Sequence, residues 1–201
     1  MDKEYWEKYY EKHNEPFKPS PFAEKVKCYL EEGKSIIDLG CGNGRDTIIF
    51  GHHLKSVGVD QCQNIVDSLN ELTKDKKYLT TSFKCGDFSN LEDHDYDYAY
   101  SRFTLHSITE EQEDRVIDWV YRNVKDYFFI EVRSDQDKLV GKSTDHYRRF
   151  ANMENLLTKL IVKGFKIRYA EINRNFSRYE NDYNVDYNEN NPMLIRIIAS
   201  K

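Results

Sequence analysis

Residues 36–46 read IIDLGCGNGRD, with glycines at 40, 42 and 44 between an apolar run of strand length and a charged pair. No other stretch narrows the choice of fold as far. Glycine takes positive φ without steric cost and lets another group lie against the backbone, so three at alternate positions after a strand mark a tight turn into a helix beginning near Arg45. A ligand lying on that turn would sit close to a helix N-terminus. The spacing is G-x-G-x-G. Where a dinucleotide-binding G-x-G-x-x-G loop has its last glycine, this chain has Arg45, whose bulk opposes close helix packing.

Around this turn the chain alternates strand-length apolar runs with helix-period stretches, the pattern of parallel βαβ units. SIIDLG, VGVD, LTTSFKCGD, YDYAYSRF and YFFIEVRS read as strands, and RDTIIFGHHLKS, NIVDSLNELTKD and TEEQEDRVIDWVYRNV as helices. His52 and His53 fall mid-helix on the surface by this reading. Ser20 and Pro21 predict the start of a helix near 21–32, Thr109 and Gln112 a capping box, and Gly164 the end of the helix NMENLLTKLIVKG. FKIRYAEIN and MLIRIIAS follow without a helix between them, which predicts an antiparallel last pair and seven strands in all. Two stretches, 135–150 and 174–191, fit no regular element and should emerge at the carboxyl edge of the sheet, where open α/β proteins place ligands.

A chain of 201 residues suits one α/β domain. The formal charge of −5 lacks the basic excess that binding a phosphate backbone requires, which disfavours nucleic acid as partner. Cys28, Cys41, Cys62 and Cys85 form no CxxC pair, so neither a zinc site nor a disulfide framework is expected, and no metal is called for. The opening MDKEYWEKYYEKHNE is charged and aromatic, unlike a signal peptide, and no apolar run is long enough to span a bilayer. A cytoplasmic protein without a membrane partner, monomeric or homodimeric, is the expectation.

Asp60 closes the second strand, twenty-two residues after Asp38, where a carboxylate can accept from both hydroxyls of an adenosine ribose. Asp87, in CGDF, closes the third. Three acids at three successive strand tips suit a ligand carrying positive charge and repel a pyrophosphate. With these residues in place, the chain resembles the class I S-adenosylmethionine-dependent methyltransferases: DLGCGNGRD is similar to their glycine loop, GVD to their ribose acid, CGDF to their adenine-side acid and YDYAYSRFTLHSI to their fourth strand. The likeness extends over the whole chain, and within the family to compact small-molecule enzymes such as the tellurite-resistance type and those of surface-glycan clusters.

The resemblance implies a Rossmann-like, mostly parallel seven-stranded sheet in the order 3-2-1-4-5-7-6, its last strand antiparallel, with helices on both faces. It implies one domain over 1–201, with 1–32 a cap and 33–201 the catalytic core. S-adenosylmethionine would meet Gly40, Cys41, Gly42 and Gly44, with Asp38 near its ammonium. Asp60 would take the ribose, Gln61 and Asp87 the adenine with the backbone of Phe88, and the carbonyl of Ser101 the ammonium. Trp6 and Tyr10, on one face of EYWEKYYEK, would close over the cofactor.

Methyl transfer from a sulfonium is an in-line displacement, so it needs alignment and dryness more than acid–base groups. His106, just past the fourth strand, is the candidate base for a hydroxyl acceptor and equally a lining residue. Arg102, Glu131 and Arg133 lie at the same edge, and His146, Tyr147 and Arg148 form a cationic, aromatic cluster suited to a phosphate or carboxylate on a small acceptor. A sugar or a nucleotide-linked sugar is one such acceptor. Arg149 is expected in a salt bridge. A methyltransferase of RNA or protein, a non-catalytic cofactor binder and an NAD-binding oxidoreductase are the alternatives.

Overall fold

The computed structural model describes residues 2–16, 18–142, 146–174 and 192–201. Seven strands form one sheet: β1 (Ser35–Leu39), β2 (Lys55–Asp60), β3 (Thr81–Cys85), β4 (Tyr96–Arg102), β5 (Val124–Arg133), β6 (Lys166–Asn173) and β7 (Leu194–Ser200). Their order is β3-β2-β1-β4-β5-β7-β6. The first five run parallel, and β7 lies antiparallel between β5 and β6. This is the predicted α/β sheet, down to the strand order.

Helices α1 (Lys3–Lys12), α2 (Pro21–Val26), α3 (Arg45–Phe50), α4 (Gln63–Thr73), α5 (Glu110–Asn123) and α6 (Met153–Lys163) accompany the sheet. Their ends follow local chemistry. Ser20 caps α2 by accepting from the Ala23 amide. Thr109 and Gln112 cap α5 reciprocally, and Gly164 ends α6 at φ 116°, as the sequence predicts. Two expectations fail. The helix near 21–32 stops at Val26 and continues only as a 3₁₀ turn over 27–29, the backbone becoming extended at Leu30. The third helix ends at Phe50, where Gly51 packs against Thr81 with no room for a side chain. His52 and His53 therefore sit in an exposed turn and not within a helix.

Burial divides by face. Ile37, Leu39, Ala99, Phe128, Ile130 and Ile197 pack with Val116, Val120, Leu156 and Leu160 of α5 and α6 on one side. Ile36, Tyr98, Tyr100, Phe129 and Ile198 pack with Phe22, Val26 and Phe50 of α2 and α3 on the other. Adjacent residues of each strand go to opposite faces, as a pleated strand buried on both sides requires, and each fully buried Leu, Ile or Phe contributes about 1.5–3 kcal/mol. A third cluster, Cys41, Cys62, Ile65, Val66, Leu69 and Phe83, receives Trp6 and Tyr10 from α1. The predicted 135–150 connection is turns over 135–142, its residues 143–145 lying outside the described residues. All of 174–191 beyond Arg174 also lies outside them.

Candidate active site at the carboxyl edge of the sheet

Gly40, Gly42 and Gly44 adopt φ of 80°, 53° and 73°, a backbone that a side chain would strain by roughly 1–2 kcal/mol per residue. A Cβ on Gly40 would collide with the Thr104 methyl, and one on Gly44 would come within 2.8 Å of Leu69. Those two glycines are thus also required by the packing of the fold itself. Gly42 is different, since its neighbour is the Tyr10 hydroxyl, 2.6 Å from a Cβ there, and that group arrives on α1, from outside the sheet.

The loop is tied to β2 by backbone and by one carboxylate. The Gly40 and Cys41 amides donate to the Val59 carbonyl at 2.8 and 3.0 Å. Asp60 accepts from the Gly42 amide through Oδ2 and from the Cys62 amide through Oδ1, each at 3.0 Å. Burial raises the Asp60 carboxyl, and these amides oppose the rise. Asp38 is wholly inside, accepts from the Thr47 hydroxyl at 2.6 Å and is pushed up to about 8, chiefly by burial and further by Asp46 and Asp60. A carboxyl so placed ionises readily only when a cation joins it. Asp87 is exposed and accepts from the Ser89 amide and hydroxyl at 2.8 Å each. Phe88 is buried beneath Gly40, Gln61 half-buried at the β2 tip, and the Ser101 hydroxyl pairs with that of Thr104 at 2.6 Å.

Above this edge the amino-terminal segment is held at several points. Asn43 donates to the Glu15 carbonyl at 2.9 Å, Arg45 donates to the Lys18 carbonyl, and Asn64 of α4 donates to the Glu7 carbonyl at 3.2 Å. Buried Asp46 accepts from the Ser20 amide at 2.7 Å, the Ser20 hydroxyl at 2.8 Å and the Tyr100 hydroxyl at 2.9 Å. Asp46 and Thr47 carry the site and were not singled out from sequence, although the charged pair directly after the glycine turn was the available signal.

Beyond β4 and β5 the character changes. Glu131 is fully buried and accepts from Arg102 Nε at 2.9 Å and Arg196 Nε at 2.6 Å. The structure thus brings Arg102 and Glu131 together with each other, as a buried pair. Arg149 binds Glu113 and the Leu105 and Ile108 carbonyls, as expected of a salt-bridged arginine. Phe103 holds φ 58°, an uncommon conformation for a bulky residue, and its ring centroid lies 4.4 Å from the Arg102 guanidinium carbon and 5.7 Å from that of Arg133.

His106, 4% exposed, lies 5.7 Å from the same ring. Its Nδ1 is buried without a hydrogen-bond partner. Burial, reinforced by Arg133, Arg148, His146 and Arg149, holds its pKa well below the ordinary value, so the ring is neutral. Arg148 lies 3.0 Å from His146 Nε2, and the His146 ring stacks on Tyr5 at 4.3 Å and meets Trp6 edge-on at 5.0 Å. Helix α1 therefore touches both halves of the edge: Tyr10 the glycine turn, Tyr5 the His146 ring. Tyr147 is exposed. Among the described residues no group of three or more His, Cys, Asp or Glu could hold a metal ion, and no helix is long and apolar enough to cross a membrane.

Residues 36–127 match the family described as the methyltransferase domain, a span that begins in β1 and ends in β5, with the glycine turn and both following strand-tip acids inside it. That span is 92 of the chain's 201 residues. A SAM-dependent methyltransferase of Methanosarcina mazei has a similar structure (TM-score 0.72, 19% identity, covering 92% of this chain and 98% of that one). So has a TehB-like SAM-dependent methyltransferase of Corynebacterium glutamicum (TM-score 0.66, 14% identity, 90% and 88%). A third is the 1,6-didemethyltoxoflavin-N1-methyltransferase of Burkholderia thailandensis, solved with 1,6-didemethyltoxoflavin and S-adenosylhomocysteine (TM-score 0.69, 17% identity, 90% and 76%). No curated protein sequence matches. The matched span is thus similar to a methyltransferase domain, and the structures show that the chain has the fold of these enzymes.

Proposed function

We propose that this protein is an S-adenosylmethionine-dependent methyltransferase acting on a small polar acceptor, with residues 1–32 as a cap over a core of 33–201. The observation that carries the reading is the positive-φ turn at Gly42, clamped by Asp60 and roofed by Tyr10. When bound, the cofactor supplies a methyl group on a positively charged sulfur. The donor set suits it. Asp60 offers its remaining lone pairs to ribose hydroxyls, and Asp87 and Gln61 border the adenine with Phe88 beneath. Cys41, Gly42 and the Ser101 carbonyl face the amino-acid part. Asp38 gains its charge beside the ammonium, and Trp6 and Tyr10 exclude water.

On the acceptor side His106 takes the hydroxyl proton at Nδ1. That atom's buried, unpartnered state favours an oxygen nucleophile, since an amine needs less help from a base. Thermal shift gives the first test: S-adenosylhomocysteine stabilises the protein and NAD does not. A turnover screen over nucleotide sugars, free sugars and amines, reading S-adenosylhomocysteine release, then names the acceptor. Binding without turnover on any acceptor would leave a non-catalytic cofactor binder, and an NAD-induced shift alone would refute the reading.

A further inference from the structure

The acceptor side holds more positive charge than its carboxylates neutralise. Arg102 and Arg196 share Glu131, Arg196 and Lys25 share Glu171, and Arg133 meets Asp137 through one contact of 3.3 Å. Arg148 has no carboxylate partner among the described residues, and its Nε is buried without a hydrogen bond. Among the described residues these ion pairs thus set five cations, Lys25, Arg102, Arg133, Arg148 and Arg196, beside three carboxylates, Glu131, Asp137 and Glu171. Asp46, 4.0 Å from Arg102, has its own cation in Arg45 at 3.8 Å. Partly buried guanidiniums without counter-ions are costly. Burial and the charge of Arg148 lower the Arg133 pKa, and burial lowers that of Arg148. A second polar group, His106 Nδ1, is buried and unpartnered beside them.

We propose that Arg133 and Arg148, flanking Phe103 and His106, form an anion subsite that takes a carboxylate or phosphate of the methyl acceptor. The two arginines come from the end of β5 and from the segment after residues 143–145, while Arg102 and Arg149 are withdrawn by Glu131 and Glu113. The acceptor is then a small hydroxylated anion, held by two guanidiniums while its hydroxyl reaches His106. An anion there also supplies the charge that the cluster lacks. This subsite rests on the methyltransferase reading for its purpose and on its own residues for its existence.

The test titrates inorganic phosphate and, separately, malonate into the intact protein by calorimetry. Millimolar or tighter binding of at least one is expected, and which one binds distinguishes a phosphorylated from a carboxylated acceptor. Arg148→Gln and Arg133→Gln should each weaken that binding by about tenfold or more, the loss of one charge-assisted hydrogen bond. Arg122→Gln, which removes an exposed arginine paired with Asp93, should not. In the wild-type protein the bound anion should also slow phenylglyoxal modification of Arg133 and Arg148, read by mass spectrometry, so a variant that folds poorly does not stop the test. Absence of binding by both anions, binding undiminished in both variants, or no protection of either arginine overturns the proposal. An S-adenosylhomocysteine titration run alongside separates the two readings: anion binding without cofactor binding refutes the methyltransferase reading alone, and the converse refutes the subsite alone.

Discussion

Beyond the tips of β1, β2 and β3 the side chains that meet are Asp38, Asp60 and Asp87, whereas beyond β4 and β5 they are Arg102, Arg133 and Arg148. The first set comes from residues 38–87, each acid at or just past the end of its own strand. Its polar groups are satisfied within the loop: Asp60 by two amides, Asp38 by Thr47, Asp87 by Ser89. The second set spans 102–148, and it keeps a buried nitrogen on His106 and another on Arg148 unpartnered. One set is closed by amides and hydroxyls of its own loops. The other keeps buried polar atoms open, which the proposed anionic acceptor would fill. The difference teaches that one sheet edge can build one polar set locally and assemble the other from distant segments; in the proposed function these are the cofactor half and the acceptor half.

The contrast breaks most visibly at Asp60. Asp60→Ala leaves the Gly42 and Cys62 amides without acceptors, so S-adenosylhomocysteine affinity should fall by more than about 100-fold and stability by about 1–3 kcal/mol, read by calorimetry and thermal melting. Asp87→Ala removes an exposed acid and should cost about tenfold in affinity and under about 0.5 kcal/mol in stability. Equal effects of the two substitutions would erase the distinction between a clamp and a contact. Next in size, His106→Gln should lower turnover of a hydroxyl acceptor by about 10²–10⁴-fold while cofactor binding stays unchanged. Unaltered turnover at neutral pH would make His106 a lining residue.

The two halves also titrate in opposite senses. Asp38, raised to about 8 against about 3.9 in an unfolded chain, keeps its proton in the folded protein where the unfolded chain has lost it. Its contribution to stability therefore falls as pH rises from about 4 to about 8. His106, lowered by burial and then by its arginine neighbours, loses its contribution as pH falls below about 6.5. Subtracting the melting curve of Asp38→Asn from that of wild type across pH 5–8 (an experimental range of about three units) isolates the first trend. A cation beside Asp38 favours its ionised form, so cofactor binding below pH 8 should release a proton, seen as a binding enthalpy that varies with buffer and is flat in Asp38→Asn. The smallest effect is expected at the roof. Tyr5→Ala removes the stack on His146, worth about 0.5–1.5 kcal/mol, and should raise the acceptor KM a few-fold with little change in kcat.

The cofactor half could be read in the sequence because its determinants are local. A glycine turn after a strand and an acid at each strand end are patterns of spacing, and the βαβ alternation with its helix-free last pair pointed to parallel strands and an antiparallel end, while the strand order came from the family resemblance. The acceptor half was legible only as residue types. Nothing in the spacing told that Glu131 faces inward between Arg102 and Arg196, because Arg196 lies on β7, 65 residues on. Nor did it tell that Gly40 and Gly44 make room for Thr104 and Leu69, since those contacts close only when the sheet and α4 pack. Asp46, read only as part of the charged pair after the glycine turn, is the buried anchor of Ser20 and Tyr100, a role fixed by a segment 26 residues upstream and a strand 54 downstream.

A crystal structure of the protein saturated with S-adenosylhomocysteine tests the central claim most directly. Adenosine lying between Asp60 and Asp87, with both ribose hydroxyls on Asp60 and the homocysteine against Gly42 under Tyr10, is the predicted result. Density for the ligand elsewhere, or none at the tips of β1 to β3 at a concentration that saturates binding in solution, would contradict it.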